Sequence, residues 1–269
     1  MSFFVAAMWS IAARLASDLM MIFLASARQS GQIDLVSVVL CEGAGFMMTL
    51  FFLAMVHDRD TPLSDVLGLR RTNVVLCLLA LAIGVALQGP ITLIVNAIYN
   101  RFPLSEEDTA VMRELLSPKT VREKVALFAG IGVVGPVVEE VFFRGGILKN
   151  LRRQHTAGLT LLGTSLLFAA AHLDPQRFDM RNFVPHFLGG LAMGYVRILS
   201  GSLWPAILLH GAFNSGSALV ALYLGPDADP LTRVQSFVAS LVTLALIALY
   251  ATVAMKSARS AEARAADQS

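Results

Sequence analysis

Three short motifs place ionisable side chains inside apolar runs of this chain. Glu139-Glu140-Val-Phe-Phe-Arg144 follows Gly135-Pro136-Val-Val, and Phe168-Ala-Ala-Ala-His172 and His210-Gly-Ala-Phe-Asn214 come downstream. An ionisable group at hydrocarbon depth costs a few kcal/mol or more, so such residues face a bundle interior and mark a functional site. On a helix turning about 100° per residue, Glu140 and Arg144 share a face, in the favourable order for an ion pair. Glu139 points about 100° away. It has no charged partner at spacing three or four, where Gly135, Pro136, Phe142 and Phe143 stand. That is the setting of a general base. The glutamates therefore divide into a catalytic Glu139 and a supporting Glu140–Arg144 pair.

His172 shares a helical face with Phe168, and His210 shares one with Asn214. The Asn either orients the imidazole or donates to a developing oxyanion. His186 reads as a packing residue, and His57 and His155 as solvated loop residues. No serine has the Gly-x-Ser-x-Gly setting of an activated nucleophile, and no His-Glu-x-x-His is present. Glu139, His172 and His210 are also a zinc-type donor set, two imidazoles and a carboxylate. A water activated by Glu139 and held by the histidines needs no metal. The metal-free chemistry is favoured, because Asn214 stands beside His210 where a metal site more often supplies a carboxylate or carbonyl.

The elements that position these groups follow from composition. The chain is 56% hydrophobic and 15% charged, with mean hydropathy +0.67. One soluble core cannot hide that much apolar surface, so the fold class is all-α, a polytopic membrane bundle. Eight stretches read as spans: 3–25, 35–56, 74–98, 122–149, 158–173, 183–200, 203–224 and 233–255. They form one integral membrane domain over 1–269. The fifth and sixth are short. In the first, Arg14 and Asp18 share a face; they either neutralise each other or face lipid headgroups. A surface helix is expected near 106–116, after Ser105 and Asp108. Cys41 and Cys77 read as buried thiols.

A net charge of +2 with no basic stripe excludes a nucleic-acid partner. Arg70-Arg71, Lys149 with Arg152-Arg153, and Lys256 with Arg259 and Arg264 fall on one side of an eight-span bundle, so both termini are cytoplasmic. With these spans His172 lies near the far end of a short helix and Glu139 nearer the cytoplasmic half. A shared site then requires the fifth span to sit deeper or tilt, or a different orientation from the one assigned.

Taken in order, Glu139-Glu140-x-x-x-Arg144, Phe168-x-x-x-His172 and His210-x-x-x-Asn214 behind Gly201-Ser-Leu-Trp204-Pro-Ala-Ile resemble the CPBP family of intramembrane endopeptidases. That family holds the CAAX prenyl endopeptidases and the bacterial Abi proteins. The resemblance covers 124–224, the motif-bearing core, and leaves 1–120 unmatched. It implies Glu139 and His172 as water activators, His210 and Asn214 as the oxyanion side, and Glu140 and Arg144 as support. It makes peptide-bond hydrolysis of a membrane-associated protein or peptide the expected activity, with CAAX-type prenyl-protein processing as one substrate class. The Ala- and Arg-rich composition points to a bacterial inner membrane, with lipid as the surrounding partner. The alternative is a non-catalytic membrane protein, a transporter or a bacteriocin-immunity-type binding protein. Gly89-Pro90 and Gly135-Pro136 interrupt spans as in transporters, but the flanking segments share no repeat.

Overall fold

Each apolar stretch becomes a helix, and polar residues set most of the starts. The computed structural model describes residues 1–28, 35–103, 113, 117–173, 179–225 and 231–266. The expected helix near 106–116 lies outside the described residues, Arg113 apart. Helix α1 (Phe3–Ala27) starts at Ser2, whose side chain accepts from the Val5 N–H. Helix α2 covers Leu35–His57, and a short α3 covers Leu63–Leu67. Helix α4 (Val74–Arg101) is capped by Asn73 and runs through Gly89-Pro90. Helix α5 (Val121–Arg152) opens on a reciprocal cap between Thr120 and Glu123. Helix α6 (Ala157–Ala171), α7 (Met180–Ser200), α8 (Trp204–Leu224) and α9 (Arg233–Ala266) follow. No strand occurs among the described residues.

The fold is the all-α membrane bundle that composition dictates. The expected count of eight spans is approximate. Among the described residues, six helices are long and apolar enough to cross a membrane: α1, α2, α4, α5, α8 and α9. Helix α6 has only 15 residues, about 22 Å at 1.5 Å per residue. Helix α7 carries Arg181, His186 and Arg197 within its 21 residues. Helices α6 and α7 pack on each other, α6 also on α5 and α7 on α8, and the buried Arg181 and Arg197 of α7 face protein rather than lipid.

Helix α5 is the central element, touching α2, α3, α6 and α8. It is not a uniform α-helix. Two wide π-type stretches, Gly130–Val134 and Val141–Ile147, flank the regular turn that carries both glutamates. Pro136 explains the first. Its ring nitrogen has no proton to give, and the Gly135 N–H reaches past to the Gly130 carbonyl. The carbonyls of Ile131 and Gly132 then accept from Asn214 and Ser215 of α8, at 3.1 and 3.3 Å. A proline in one helix thereby fixes the register of another.

Small residues let the helices close around α5. A Cβ on Gly84 of α4 would lie 2.3 Å from the Leu209 carbonyl of α8, and one on Gly45 of α2 only 2.6 Å from the Ser17 nitrogen of α1. Phe46, Phe142, Phe143 and Phe168 form an edge-to-face stack that fills the centre. In α1, Arg14 and Asp18 pair at 3.1 Å, and Arg14 also donates to the Ala171 carbonyl. Mutual neutralisation is therefore the arrangement present. His57 and His155 are not solvated loop residues. The Trp9 indole donates to His57, and His155 stacks on Phe3 at 4.3 Å.

Candidate active site

The regular turn of α5 aims its two glutamates at different neighbours. Glu140 is fully buried and accepts twice on one oxygen: from Arg144 at 2.8 Å and from His210 Nδ1 at 3.0 Å. Arg144, also fully buried, donates to the Gly190 carbonyl of α7 and lies 4.4 Å over the Phe168 ring. The carboxylate–arginine pair expected from the i,i+4 spacing is there. Its second duty, holding His210, is invisible in sequence because His210 is 70 residues away.

Glu139 faces the other way, into a cavity of about 140 Å³ lined by Phe168, His172, His186, His210 and Asn214 among others. Its Oε2 is buried without a hydrogen-bond partner. It stands 3.5 Å from His172 Nε2 and 3.9 Å from His210 Nε2. The remaining nitrogen of each ring is already engaged. His172 Nδ1 sits 2.8 Å from the Phe168 carbonyl, and His210 Nδ1 is on Glu140. Those partners only accept, so each Nδ1 carries a proton. The two Nε2 atoms and the Glu139 oxygen are left facing one another across gaps wider than a direct hydrogen bond.

Helix ends bring these groups to one depth. Helix α5 continues to Arg152, three residues past the expected end, so Glu139 is 13 residues from its terminus, about 20 Å. His172 follows the 15-residue α6 that begins at Ala157, about 22 Å along an antiparallel neighbour. The two meet at one depth, 3.5 Å apart.

Asn214 lines the same cavity, but it does not orient His210. One of its N–H groups is committed to Ile131. Nor is it what stands behind the imidazole. Glu140 supplies a carboxylate there, and Phe168 a carbonyl behind His172. Asn214 therefore does not weigh against a metal, because a carboxylate and a carbonyl do stand behind the two imidazoles. A tetrahedral zinc with ligands near 2.0–2.1 Å holds its donors roughly 3.3 Å apart, and the Glu139–His210 gap is 3.9 Å. Among the described residues no three His, Cys, Asp or Glu side chains are set to hold a metal ion.

Two further groups belong to the neighbourhood. His186, read as a packing residue, stacks on the His172 ring at 4.0 Å and lines the cavity. Glu42 of α2 acts electrostatically on both Glu139 and His172. Its signal was present, a carboxylate inside an apolar stretch, but no motif surrounds it.

The comparisons with known proteins fall on these elements. Residues 121–216 match the Rce1-like family, type II CAAX prenyl endopeptidases. The Rce1-like segment spans α5 to α8 as far as Gly216, and so holds all three motifs; the CPBP resemblance is borne out over it. The chain is also 36% identical over 101 residues to an uncharacterized 24.3 kDa protein of Escherichia coli. That alignment covers 37% of this chain and 46% of the relative, so the chain spans about half the length of the curated protein it matches. No solved structure matches. The six apolar helices make this an integral membrane protein, and its α5-to-α8 segment is similar to the type II CAAX prenyl endopeptidases.

Proposed function

We propose that the chain hydrolyses peptide bonds of membrane-associated proteins or peptides, using a water activated by Glu139 and His172 without a metal ion. One observation carries this reading: the buried, unpartnered Glu139 oxygen faces two imidazole Nε2 atoms inside a cavity large enough for water and a peptide carbonyl. The water oxygen attacks the carbonyl carbon as its proton passes to the Glu139 carboxylate, with His172 holding the water. The oxyanion role requires His210 to donate from Nε2 while Nδ1–H stays on Glu140, and the second N–H of Asn214 adds another donor. The proton on Glu139 then moves to the amide nitrogen. The C–N bond breaks, and a carboxylic acid and an amine leave. No net proton is consumed.

A carboxyl-terminal prenylated peptide is the first substrate to assay, because the matched family is described by that activity. The test uses purified protein and labelled peptides in detergent or vesicles. Wild type cleaves and Glu139→Gln does not. Loss of His210 or Asn214 lowers turnover by about 10²–10³. Elemental analysis accompanies the assay, and activity persists in metal-free protein. Stoichiometric zinc, with activity lost on chelation and restored by zinc alone, overturns the metal-free chemistry. Absence of cleavage across a broad membrane-peptide set, with folded protein, overturns the enzyme reading in favour of a transporter or binding protein.

A further inference from the structure

Gly201-Ser-Leu-Trp204-Pro-Ala-Ile stands outside the chemistry above, yet it frames an unusual cation. Arg197, three residues before the end of α7, is only 8% exposed. Its Nε is buried without a partner, and among the described residues its guanidinium forms no ion pair or hydrogen bond. The one carboxylate that acts on it is Glu140, which already serves Arg144 and His210. Its other charged neighbour is a second cation, Arg70.

The backbone fixes this pair of like charges side by side. The Gly68 carbonyl accepts from the Leu203 N–H, and the Arg70 carbonyl accepts from Ser202 Oγ at 2.7 Å. The link after α3 is thereby bolted to the α7–α8 turn. Gly68 has φ 66°, and a Cβ there would lie 2.3 Å from Arg197 Nη2. The positive φ of Gly68 favours glycine, and the missing side chain leaves the Arg197 guanidinium room against this loop. A buried, unpaired arginine costs several kcal/mol, and a second arginine beside it adds repulsion. Arg70 already pairs with Asp65 at 3.6 Å on the exposed rim, so the anion that this rigid loop lacks is one for Arg197.

The depth names the anion. Trp204 begins α8 in the same turn and is 47% exposed, the placement of an interfacial aromatic. Arg70 itself is well exposed, at 68% of its side chain. The site therefore lies at the membrane–water boundary, where the phosphates of lipid headgroups lie. The planar fork of an arginine suits phosphate oxygens, and basic pockets between helices at this depth take headgroups. We propose that Arg197 and Arg70 form a binding site for a phosphate group, with an anionic phospholipid headgroup as its source.

The experiment takes full-length protein washed free of lipid in detergent. Phosphatidylglycerol, phosphatidylcholine of the same chain length, and inorganic phosphate are titrated separately. Binding is read by native mass spectrometry and by the shift in Tm. Phosphatidylglycerol raises Tm and binds wild type about tenfold more tightly than Arg197→Gln, the loss expected for a charge-assisted contact. Arg70→Gln, at an exposed position, weakens binding by a smaller factor and folds normally. Phosphatidylcholine gives a lesser effect. If inorganic phosphate protects wild type as well as the lipid does, and Arg197→Gln abolishes that, the site is upheld with a free ion as its source. Equal behaviour of wild type and both variants toward all three ligands overturns the site. Should Arg197→Gln not fold, Arg197→Lys, which keeps the charge without the fork, and Arg70→Gln decide.

Discussion

Glu139 and Glu140 are adjacent in the chain and opposite in role because one residue turns a helix by about 100°. Glu140→Gln removes the shared acceptor of Arg144 and His210. A buried charge that loses its partner costs roughly 3–5 kcal/mol. The expected outcome is a clear drop in Tm, together with lost turnover as His210 is released. Glu139→Gln leaves Tm near wild type, because its Oε2 makes no hydrogen bond. Equal Tm losses in the two variants would refute this division. A second residue-scale case lies just past α2. Asp58 has a fully buried side chain that takes Lys149 at 2.9 Å, Arg153 at 2.6 Å and Asn150 at 2.8 Å. Burial pushes its carboxyl up, but the hydrogen bonds from Asn150 and Lys149 and the two positive charges outweigh it and hold the group below its ordinary value. A depressed folded value contributes stability above the unfolded one, near pH 3.9, and loses it as pH falls further. Asp58→Asn should therefore lower stability by roughly 3 kcal/mol at pH 7. The gap should close below about pH 4, as thermal unfolding across a pH series will show.

Among the elements, α5 shows how a helix can be stable and locally irregular. Pro136 cannot close the turn, so α8 closes it through Asn214 and Ser215. The irregularity thus becomes a specific contact between the two helices that carry Glu139 and His210. The close approach of α4 to α8 makes a similar demand. Gly84→Ala sets a methyl group 2.3 Å from the Leu209 carbonyl, which is backbone and cannot rotate away. It should push α8 outward, lower Tm and reduce turnover, since His210 is the next residue. Gly158→Ala is the control. Nothing lies within 4 Å of its added Cβ, and alanine gains about 0.5–1 kcal/mol in a helix. Its Tm should rise slightly with activity unchanged. A Gly84→Ala protein as stable and active as wild type would remove the packing argument.

At the scale of the whole molecule, the arrangement is a set of long apolar helices packed with the shorter α6 and the more polar α7. Exposed large side chains such as Phe4, Leu19, Phe23, Phe51, Val74 and Leu244 lie on α1, α2, α4 and α9. In water they would be an aggregation surface; in lipid they cost nothing. The ends carrying Arg70-Arg71, Lys149, Arg152 and Lys256 are expected on the cytoplasmic side, with both chain termini. Single cysteines placed near Arg71 and near Lys256, in a chain with Cys41 and Cys77 replaced, test this in inverted and right-side-out vesicles. Both should react with an impermeant thiol reagent in inverted vesicles alone. Opposite labelling would reverse the orientation.

The residue types and their spacing were enough to establish the all-α membrane class, the Glu140–Arg144 pair and the set of groups to suspect, because helical periodicity and the cost of charge in lipid act locally. Which groups meet was decided in three dimensions. His172 reaches Glu139 because α5 runs on to Arg152 and α6 starts at Ala157, and a change in helix length moves a residue by 1.5 Å per position. His210 rests on Glu140 through a contact spanning 70 residues, Glu42 comes from an unmatched part of the chain, and Asn214 is turned toward Ile131 by a proline in another helix. None of these has a periodic signature, since a side chain's partner across a bundle is set by where the helices cross.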